Sequence, residues 1–293
     1  MAPEIIPLHP LFGAEIRGVD AGAPVDAAAV SAIREAISTY AIVLLRAQTL
    51  DDERHIRFAS TFGELEISLN AIRKGNRADD ISSVVSDITN LDADRKVRGA
   101  DDRRRLFALG NRLWHTDSSF RRVPAALSMF YARQIPPRDG ETEFADMRAG
   151  YDAFPPDLKE RLRDMVAIHD YTTARMQMGF DDFSPEEHAA WPPVKHKLIR
   201  RHPESGRHSI YLGSHASHIE GMPVPEGRVL LRDLTERVTQ REFVYVHEWR
   251  VGDLMIWDNR CTLHRGREWD PKYPRDFRRC TTSDVSYTEG ALA

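Results

Sequence analysis

Cysteine is scarce in this sequence of 293 residues, which contains only Cys261 and Cys280. Two cysteines form no disulfide framework, and their scarcity is typical of proteins from a reducing compartment. No uninterrupted apolar run approaches the roughly 20 residues of a membrane-spanning helix. The first residues also lack the basic stretch of a secretory signal. We therefore expect a cytoplasmic protein that does not act at a membrane.

An excess of basic residues is also missing. Lys and Arg number 41 against 45 Asp and Glu, which gives a formal net charge of −4. A chain with this balance has no global positive field, so we expect no nucleic acid and no anionic membrane among its partners. Three consecutive arginines, at 103–105, are expected to lie in a solvated loop.

Helical spacing is confined to the early part of the chain and to insertions, whereas strand-like alternation dominates the C-terminal two thirds. Helices are predicted after an Asp26 cap and from Leu50 to Gly63, with a buried strand at residues 41–46 between them. A turn at 203–206 between two apolar runs predicts a hairpin. No repeat, low-complexity tract or linker divides the chain. We predict one mainly β domain, residues 1–293, with a jelly-roll core and helical insertions.

The apolar pattern dissolves between Glu64 and Gly110, apart from a predicted strand at 81–85. An irregular stretch of this length in a compact domain is usually a functional lid or disordered. This one leads into the candidate metal ligands, which favours a lid over residues 66–105. A second insertion is predicted at 171–192, which is rich in Met, Phe, Asp and Pro.

The motif around which the chain is organised is His115-Thr116-Asp117. Residues two apart leave the same face of an extended strand, so His115 and Asp117 can act together. With His264 they would form a set of two histidines and one carboxylate, which suits non-haem Fe(II) and leaves coordination positions open. The motif alone is weak. Two similar ones, His202-Pro203-Glu204 and His218-Ile219-Glu220, are interpreted as turns or surface pairs.

Further residues stand at fixed distances from these two segments. Asn111 and Trp114 precede His115, Thr142 follows it by 27 positions, and two arginines follow His264 at +11 and +15, Arg275 and Arg279. This spacing resembles the taurine dioxygenase superfamily of Fe(II)/2-oxoglutarate dioxygenases. Within it the chain resembles the 2,4-dichlorophenoxyacetate/2-oxoglutarate dioxygenases, over segments 7–12, 113–120, 146–149, 215–218, 239–245 and 257–261.

The resemblance implies a double-stranded β-helix fold, homo-oligomeric assembly, and Fe(II) bound by His115, Asp117 and His264. It implies that 2-oxoglutarate chelates the iron while its distal carboxylate pairs with Arg275 and the Thr142 hydroxyl. Arg279 would bind the substrate carboxylate, near the indole of Trp114 and the amide of Asn111. His215 and His218 fall in a matched segment, where each is either a pocket residue or a buried structural histidine.

The implied chemistry is hydroxylation of a small carboxylate substrate by O₂, with an aryloxyalkanoate such as phenoxyacetate as the substrate. Guanidinium groups suit both carboxylates because their planar fork makes two parallel charge-assisted hydrogen bonds. Hydroxylation of the carbon beside the ether oxygen gives a hemiacetal, which falls apart to a phenol and glyoxylate. Succinate and CO₂ come from 2-oxoglutarate.

Three alternative functions stay open at this stage. A taurine-type sulfonate dioxygenase also needs an arginine for an anionic substrate. A cupin-like binding protein without turnover would have no use for open iron positions. A zinc hydrolase using the same three ligands would not explain Arg275 or Thr142.

Overall fold

The computed structural model describes residues 3–68, 81–285 and 287. Its α-helices are α1 (Ala27–Tyr40), α2 (Asp52–Ser60), α3 (Arg103–Ala108), α4 (Met147–Asp152), α5 (Pro156–Leu162), α6 (Thr173–Met176), α7 (Pro185–Ala190) and α8 (Val224–Val238). Its strands are β1 (Glu4–Pro7), β2 (Ala14–Arg17), β3 (Ile42–Leu45), β4 (Val85–Thr89), β5 (Ala125–Gln134), β6 (Thr142–Asp146), β7 (Val166–His169), β8 (Val194–Lys197), β9 (Ile199–Arg201), β10 (His208–Ile210), β11 (Ala216–Ile219), β12 (Val244–His247), β13 (Leu254–Asp258), β14 (Thr262–Gly266) and β15 (Asp276–Ser283). Residues 69–80 of the predicted lid lie outside the described part.

The first helix begins where the sequence predicts. The Asp26 carboxylate accepts a hydrogen bond from the backbone N–H of Ala29 at 2.8 Å, which satisfies one of the free N–H groups at the helix start. Helix α2 ends at Ser60, before the predicted end at Gly63. It stops there because its last turn tightens: the Thr61 N–H bonds to the carbonyl of Phe58, only three residues back.

The larger sheet has the strand order β1-β2-β3-β13-β5-β15-β4 in the described part of the chain. β5 pairs antiparallel with both β13 and β15, whereas β2 and β3 run parallel. Its central strands bury both faces, because successive side chains point to opposite sides. One face, with Val43 and Met129, packs on α1 and α2. The other, with Leu44 and Phe130, faces the second sheet.

The second sheet has the order β12-β6-β14. Phe144 of β6 faces Trp257 of β13, with ring centroids 5.5 Å apart, so one aromatic core joins the two sheets. Behind β6 and β14, a further apolar cluster packs on α8. The predicted hairpin at 203–206 is present as the antiparallel pair β9–β10. The prediction of a mainly β protein with helical insertions is confirmed.

Two local predictions are wrong. Residues 103–105 do not form a solvated loop but begin α3, which Asp102 caps. Arg103 is fixed there by ion pairs with Asp182 at 2.7 Å and Glu187 at 3.0 Å. The strand predicted at 81–85 starts only at Val85, because the ladder with β15 begins at the Val85–Cys280 pair.

No helix among the described residues is both long and apolar enough to cross a bilayer.

Helix α4 packs against α8 through a glycine, and this contact yields a stability prediction. A Cβ at Gly150 would lie 2.7 Å from the Val238 Cβ and 2.9 Å from its Cα. We expect Gly150→Ala to lower the free energy of unfolding by about 1–2 kcal/mol, because overpacking outweighs the gain in helix propensity. Gly99→Ala is the control, since a Cβ there meets nothing within 4 Å. Urea denaturation measures both, and unchanged stability in Gly150→Ala would contradict the predicted clash.

Candidate active site

An isolated antiparallel bridge places His115 beside His264. The His115 N–H donates to the His264 carbonyl at 3.0 Å and the His264 N–H to the His115 carbonyl at 2.8 Å. The two imidazole centroids are consequently 4.1 Å apart. Asp117 follows on the same face, and one ligand atom from each of the three residues lies within 4.8 Å of the others. The structure thus brings the three predicted metal ligands together.

Hydrogen bonds fix the orientation of the first two side chains. His115 Nδ1 is 2.8 Å from the carbonyl of Leu113. Because a carbonyl only accepts, the proton is on Nδ1 and the Nε2 lone pair is left for a metal. The Asp117 Oδ2 accepts from the Ser128 hydroxyl at 2.7 Å, and its Oδ1 accepts from Arg279.

Asn259 joins these residues to the end of β13. Its side-chain oxygen accepts from the Asp117 backbone N–H at 3.1 Å and from the Trp257 indole at 2.9 Å. Its amide group donates to the Ser128 hydroxyl at 3.0 Å. One amide thus aligns both the backbone of Asp117 and the hydroxyl that supports its carboxylate.

The protonation states of the three residues suit a divalent cation. Burial lowers the pKa of His115 to about 4, and burial together with His115 holds the pKa of His264 well below its usual value. Both imidazoles are therefore neutral near pH 7. Burial alone would raise the pKa of Asp117, but the Arg279 guanidinium, together with the hydrogen bond from Ser128, holds it below its usual range. Two neutral nitrogens and one carboxylate form the donor set that non-haem Fe(II) prefers.

A second cluster, of His202, Asp258 and Cys261, also has ligand atoms within 4.8 Å of one another. Its carboxylate is already used: Arg260 donates to both oxygens of Asp258, and His202 Nε2 lies 3.0 Å from one of them. Burial raises the pKa of the Cys261 thiol well above its usual value, so no thiolate is at hand. This cluster is a structural ion-pair network, and Cys261 is a buried thiol.

The first cavity borders His115 and His264 and has a volume of about 300 Å³, and Arg275, Thr142 and Trp269 are also among its lining residues. Arg275 is buried, with its guanidinium carbon 4.1 Å from the Phe277 ring centroid. Burial lowers the pKa of Arg275 to about 9, with a contribution from Arg112, so it stays charged near neutrality. In the part of the chain that the structure describes, no carboxylate lies within ion-pair distance of it. The cavity is therefore suited to an anion.

The second cavity, of about 430 Å³, is bordered by both His115 and Asp117. Arg279 borders both cavities. The second one has aromatic walls from Phe107, Phe120 and Tyr171. The predicted lid and the predicted insertion both contribute to its lining, so an apolar ring and an anionic group can be held in the same space.

The other predicted site residues separate into two groups. Asn111 borders both cavities and His215 borders the second. Arg175, which the sequence analysis missed, donates to both of them, at 3.0 Å to the Asn111 amide oxygen and at 3.1 Å to His215 Nε2. His218 borders neither cavity and lies 2.9 Å from the Ser217 hydroxyl, so its structural interpretation is favoured.

Trp114 lies apart from the other residues predicted to bind substrate. It borders neither cavity; its ring packs on the apolar cluster next to α8 and lies 4.5 Å from the Arg265 guanidinium. The reason is strand alternation: adjacent residues point to opposite sides, so the neighbour of an inward-facing His115 faces outward. The structure thus does not bring Trp114 together with the other residues predicted to contact substrate, and its substrate contact stays a prediction.

Two neutral imidazoles and a carboxylate border a cavity suited to an anion and a cavity with aromatic walls. This is the site expected of a mononuclear non-haem iron dioxygenase that uses an oxoacid cosubstrate. The chain belongs to the taurine catabolism dioxygenase TauD, TfdA family, whose model matches residues 4–281. It is an Fe(II)- and 2-oxoglutarate-dependent dioxygenase, as the sequence predicted.

Relatives cover nearly the whole chain. It is 43% identical over 279 residues to the alpha-ketoglutarate-dependent 2,4-dichlorophenoxyacetate dioxygenase of Cupriavidus pinatubonensis, covering 95% of this chain and 96% of the relative. It is 34% identical over 296 residues to the (S)-phenoxypropionate/alpha-ketoglutarate-dioxygenase of Sphingobium herbicidovorans, covering 99% and 98%. The crystal structure of AAD-2 in complex with Mn(II) and N-oxalylglycine matches with a TM-score of 0.89 and 41% identity, over 97% of this chain and 98% of that one.

The ligand set leads to a metal-binding prediction. We expect His115→Ala, Asp117→Ala and His264→Ala each to weaken Fe(II) binding by more than the roughly 10–100-fold that losing a ligand-orienting neighbour costs. The matched control is His218→Ala, whose histidine also belongs to a His-x-Glu motif. Anaerobic Fe(II) titration measures the affinity, and thermal melting checks that each variant is folded. Full iron binding by His264→Ala would remove that residue from the ligand set.

Proposed function

We propose that this dioxygenase hydroxylates an aryloxyalkanoate, such as a phenoxyacetate, at the carbon between the ether oxygen and the carboxylate. One oxygen atom of O₂ enters that C–H bond, and the other enters succinate as 2-oxoglutarate loses CO₂. The hemiacetal then breaks its C–O bond to the aryl oxygen, giving a phenol and glyoxylate. The observation that carries the proposal is the aromatic cavity with Arg279 beside the candidate iron ligand Asp117. The names of the relatives support the same substrate class.

His115, Asp117 and His264 hold the iron in this proposal. The metal, once bound with 2-oxoglutarate, would supply the chemistry that activates O₂ for C–H hydroxylation. The protein keeps the imidazoles neutral by burial and the carboxylate ionised through Arg279. The donor set therefore stays ready for a cation across the physiological pH range.

Arg275 and Thr142 bind the distal carboxylate of 2-oxoglutarate. A buried guanidinium without a carboxylate partner is costly, and a ligand carboxylate offsets that cost through charge-assisted hydrogen bonds. N-oxalylglycine, which is isosteric with 2-oxoglutarate, is the ligand of the related AAD-2 structure. Both observations support an oxoacid with a second carboxylate in this cavity.

Arg279 binds the substrate carboxylate, with Asn111 and His215 alongside, while Phe107, Phe120 and Tyr171 surround the aryl ring. Arg279 borders the aromatic cavity and Arg275 does not, which supports the division of the two carboxylates between these arginines. The residues of 66–105 and 171–192 that border this cavity act as its lid and wall.

In this proposal residues 1–293 form one domain. The two facing sheets support a double-stranded β-helix, or jelly-roll, core.

A taurine-type sulfonate dioxygenase is the second candidate, because it belongs to the same family and an arginine also binds sulfonates. The aromatic walls favour an aryl substrate over a small aliphatic one. A cupin-like binding protein and a zinc hydrolase are disfavoured, because the chain belongs to a dioxygenase family.

Homo-oligomeric assembly and a cytoplasmic location complete the proposal. The first rests on the family resemblance and is tested by light scattering of the purified protein. The second rests on the scarcity of cysteine.

The substrate class is tested with a panel of phenoxyacetate, 2-phenoxypropionate and taurine. With Fe(II), 2-oxoglutarate and O₂, we expect phenoxyacetate to give phenol, glyoxylate, succinate and CO₂ in equal amounts, because each hydroxylation consumes one 2-oxoglutarate. Chromatography quantifies all the organic products. Rapid turnover of taurine without phenol from either aryloxy acid would refute the substrate class while leaving the dioxygenase chemistry intact.

The assignment of the cosubstrate carboxylate to Arg275 and of the substrate carboxylate to Arg279 is tested with Arg275→Ala and Arg279→Ala. A hydrogen bond to a charged group contributes about 1.5–3 kcal/mol, or roughly 10- to 150-fold in affinity. We expect that increase in the KM for 2-oxoglutarate in Arg275→Ala and in the KM for the aryloxy acid in Arg279→Ala. Because Arg279 also holds Asp117, its loss is expected to weaken Fe(II) binding as well. Arg133→Ala, which removes an outward-facing ion pair with Asp52, is the control. The same KM pattern in both variants would contradict the division.

A further inference from the structure

Thr142 is held by a residue that neither the sequence pattern nor the family resemblance singled out. The indole N–H of Trp249 donates to the Thr142 hydroxyl oxygen at 3.0 Å. Both side chains are buried, with 9% of Trp249 and 5% of Thr142 exposed. Trp249 lies just beyond β12, and its partner borders the cavity that contains Arg275.

The chemistry of the two groups fixes the direction of this hydrogen bond. An indole N–H only donates, so the Thr142 oxygen is the acceptor, and its own proton has to point elsewhere. In the part of the chain that the structure describes, no acceptor lies within hydrogen-bond distance of that proton. The hydroxyl is therefore a donor without a partner at the wall of a cavity that already contains a buried cation.

The indole is held rigidly. Its ring meets those of His247, Phe277 and Phe130 edge-on, with centroid distances of 4.5, 4.9 and 5.4 Å. The strand pairing sets the position of the indole relative to Thr142, because His247, two residues before Trp249, lies directly opposite Thr142 in the β12–β6 ladder. On the other side Thr142 is paired with Gly266 of β14, which has no side chain to occupy the adjacent space.

We propose that Trp249 is a positioning residue for the cosubstrate: by occupying the acceptor side of the Thr142 hydroxyl, it directs the hydroxyl proton at the distal carboxylate of 2-oxoglutarate. The donated hydrogen bond also polarises the O–H group and makes it a better donor. This inference rests on the proposed cosubstrate roles of Thr142 and Arg275. If Trp249 only filled space in the aromatic core, its replacement would change the affinity for all ligands of this cavity alike, with or without a distal carboxylate.

The test measures ligand binding by the full-length, Mn(II)-loaded protein with isothermal titration calorimetry. The two probes are N-oxalylglycine, which has a distal carboxylate, and N-methyloxamate, which shares its metal-chelating end but lacks that carboxylate. The variants are Trp249→Phe, Thr142→Val and the double variant. Replacing Trp249 by benzothienylalanine, whose ring has sulfur in place of the N–H, removes the donor with little change of shape and serves if Trp249→Phe folds poorly.

We expect Thr142→Val to weaken N-oxalylglycine binding by about 10-fold or more, as for a hydrogen bond to a charged group. Loss of the Trp249 donor should weaken N-oxalylglycine binding by at least about 3-fold and by no more than Thr142→Val does, because the hydroxyl loses its alignment. The double variant should bind no more weakly than Thr142→Val alone, because Trp249 acts only through the hydroxyl. N-methyloxamate should bind all variants equally. Trp191→Phe, a tryptophan away from this cavity, is the control and should leave both affinities unchanged.

Independent, multiplying effects of the two substitutions would overturn the inference, as would equal weakening of both probes or no effect of removing the indole N–H. Failure of the proposed function has a different signature. Wild-type protein would then bind N-oxalylglycine no more tightly than N-methyloxamate, which would overturn the cosubstrate assignment of Thr142 and this inference together.

Discussion

The two backbone hydrogen bonds between His115 and His264 are the contact on which the rest of the active site depends. They join the segment after the predicted lid to β14, at the end of the aromatic core between the sheets. Because the bridge fixes both backbones, it brings the two imidazoles together, with centroids 4.1 Å apart. Asp117 then needs only the two-residue spacing and the Asn259 amide to reach the same point.

The positive charges next to this cluster are the second constraint, and Arg279 and Arg275 are compensated differently. Arg279 is compensated within the protein, because it donates to Asp117 and keeps that carboxylate ionised. Arg275 is surrounded by aromatic rings, and the described residues offer it no carboxylate. A carboxylate of the protein therefore neutralises the arginine at the metal site, whereas the arginine in the neighbouring cavity needs an anionic ligand as its partner.

Local patterns in the sequence predict the features that depend on neighbouring residues: the Asp26 cap, the strand around Leu44 and the shared face of His115 and Asp117. The positions of Arg275 and Thr142 follow from resemblance to a family, and both border the same cavity. Asn259, Arg175 and Trp249 were missed because their partners are distant in sequence. Asn259 and Asp117, for example, are 142 positions apart, and no periodicity connects such residues. The role of Trp114 was also implied by the family resemblance, but strand alternation turns its side chain away from the side on which His115 lies.

Arg279 connects the metal site to both cavities, and this limits what a single substitution there can reveal. Its guanidinium contacts a candidate iron ligand and borders the space for each carboxylate. Removing it takes away a substrate anchor and the charge that keeps Asp117 ionised, so a loss of turnover alone would not distinguish the two causes. Arg275 contacts none of the three candidate ligands and borders one cavity of the two. Its variant therefore reports on cosubstrate binding without disturbing the metal, and it is the reference against which effects at Arg279 have to be interpreted.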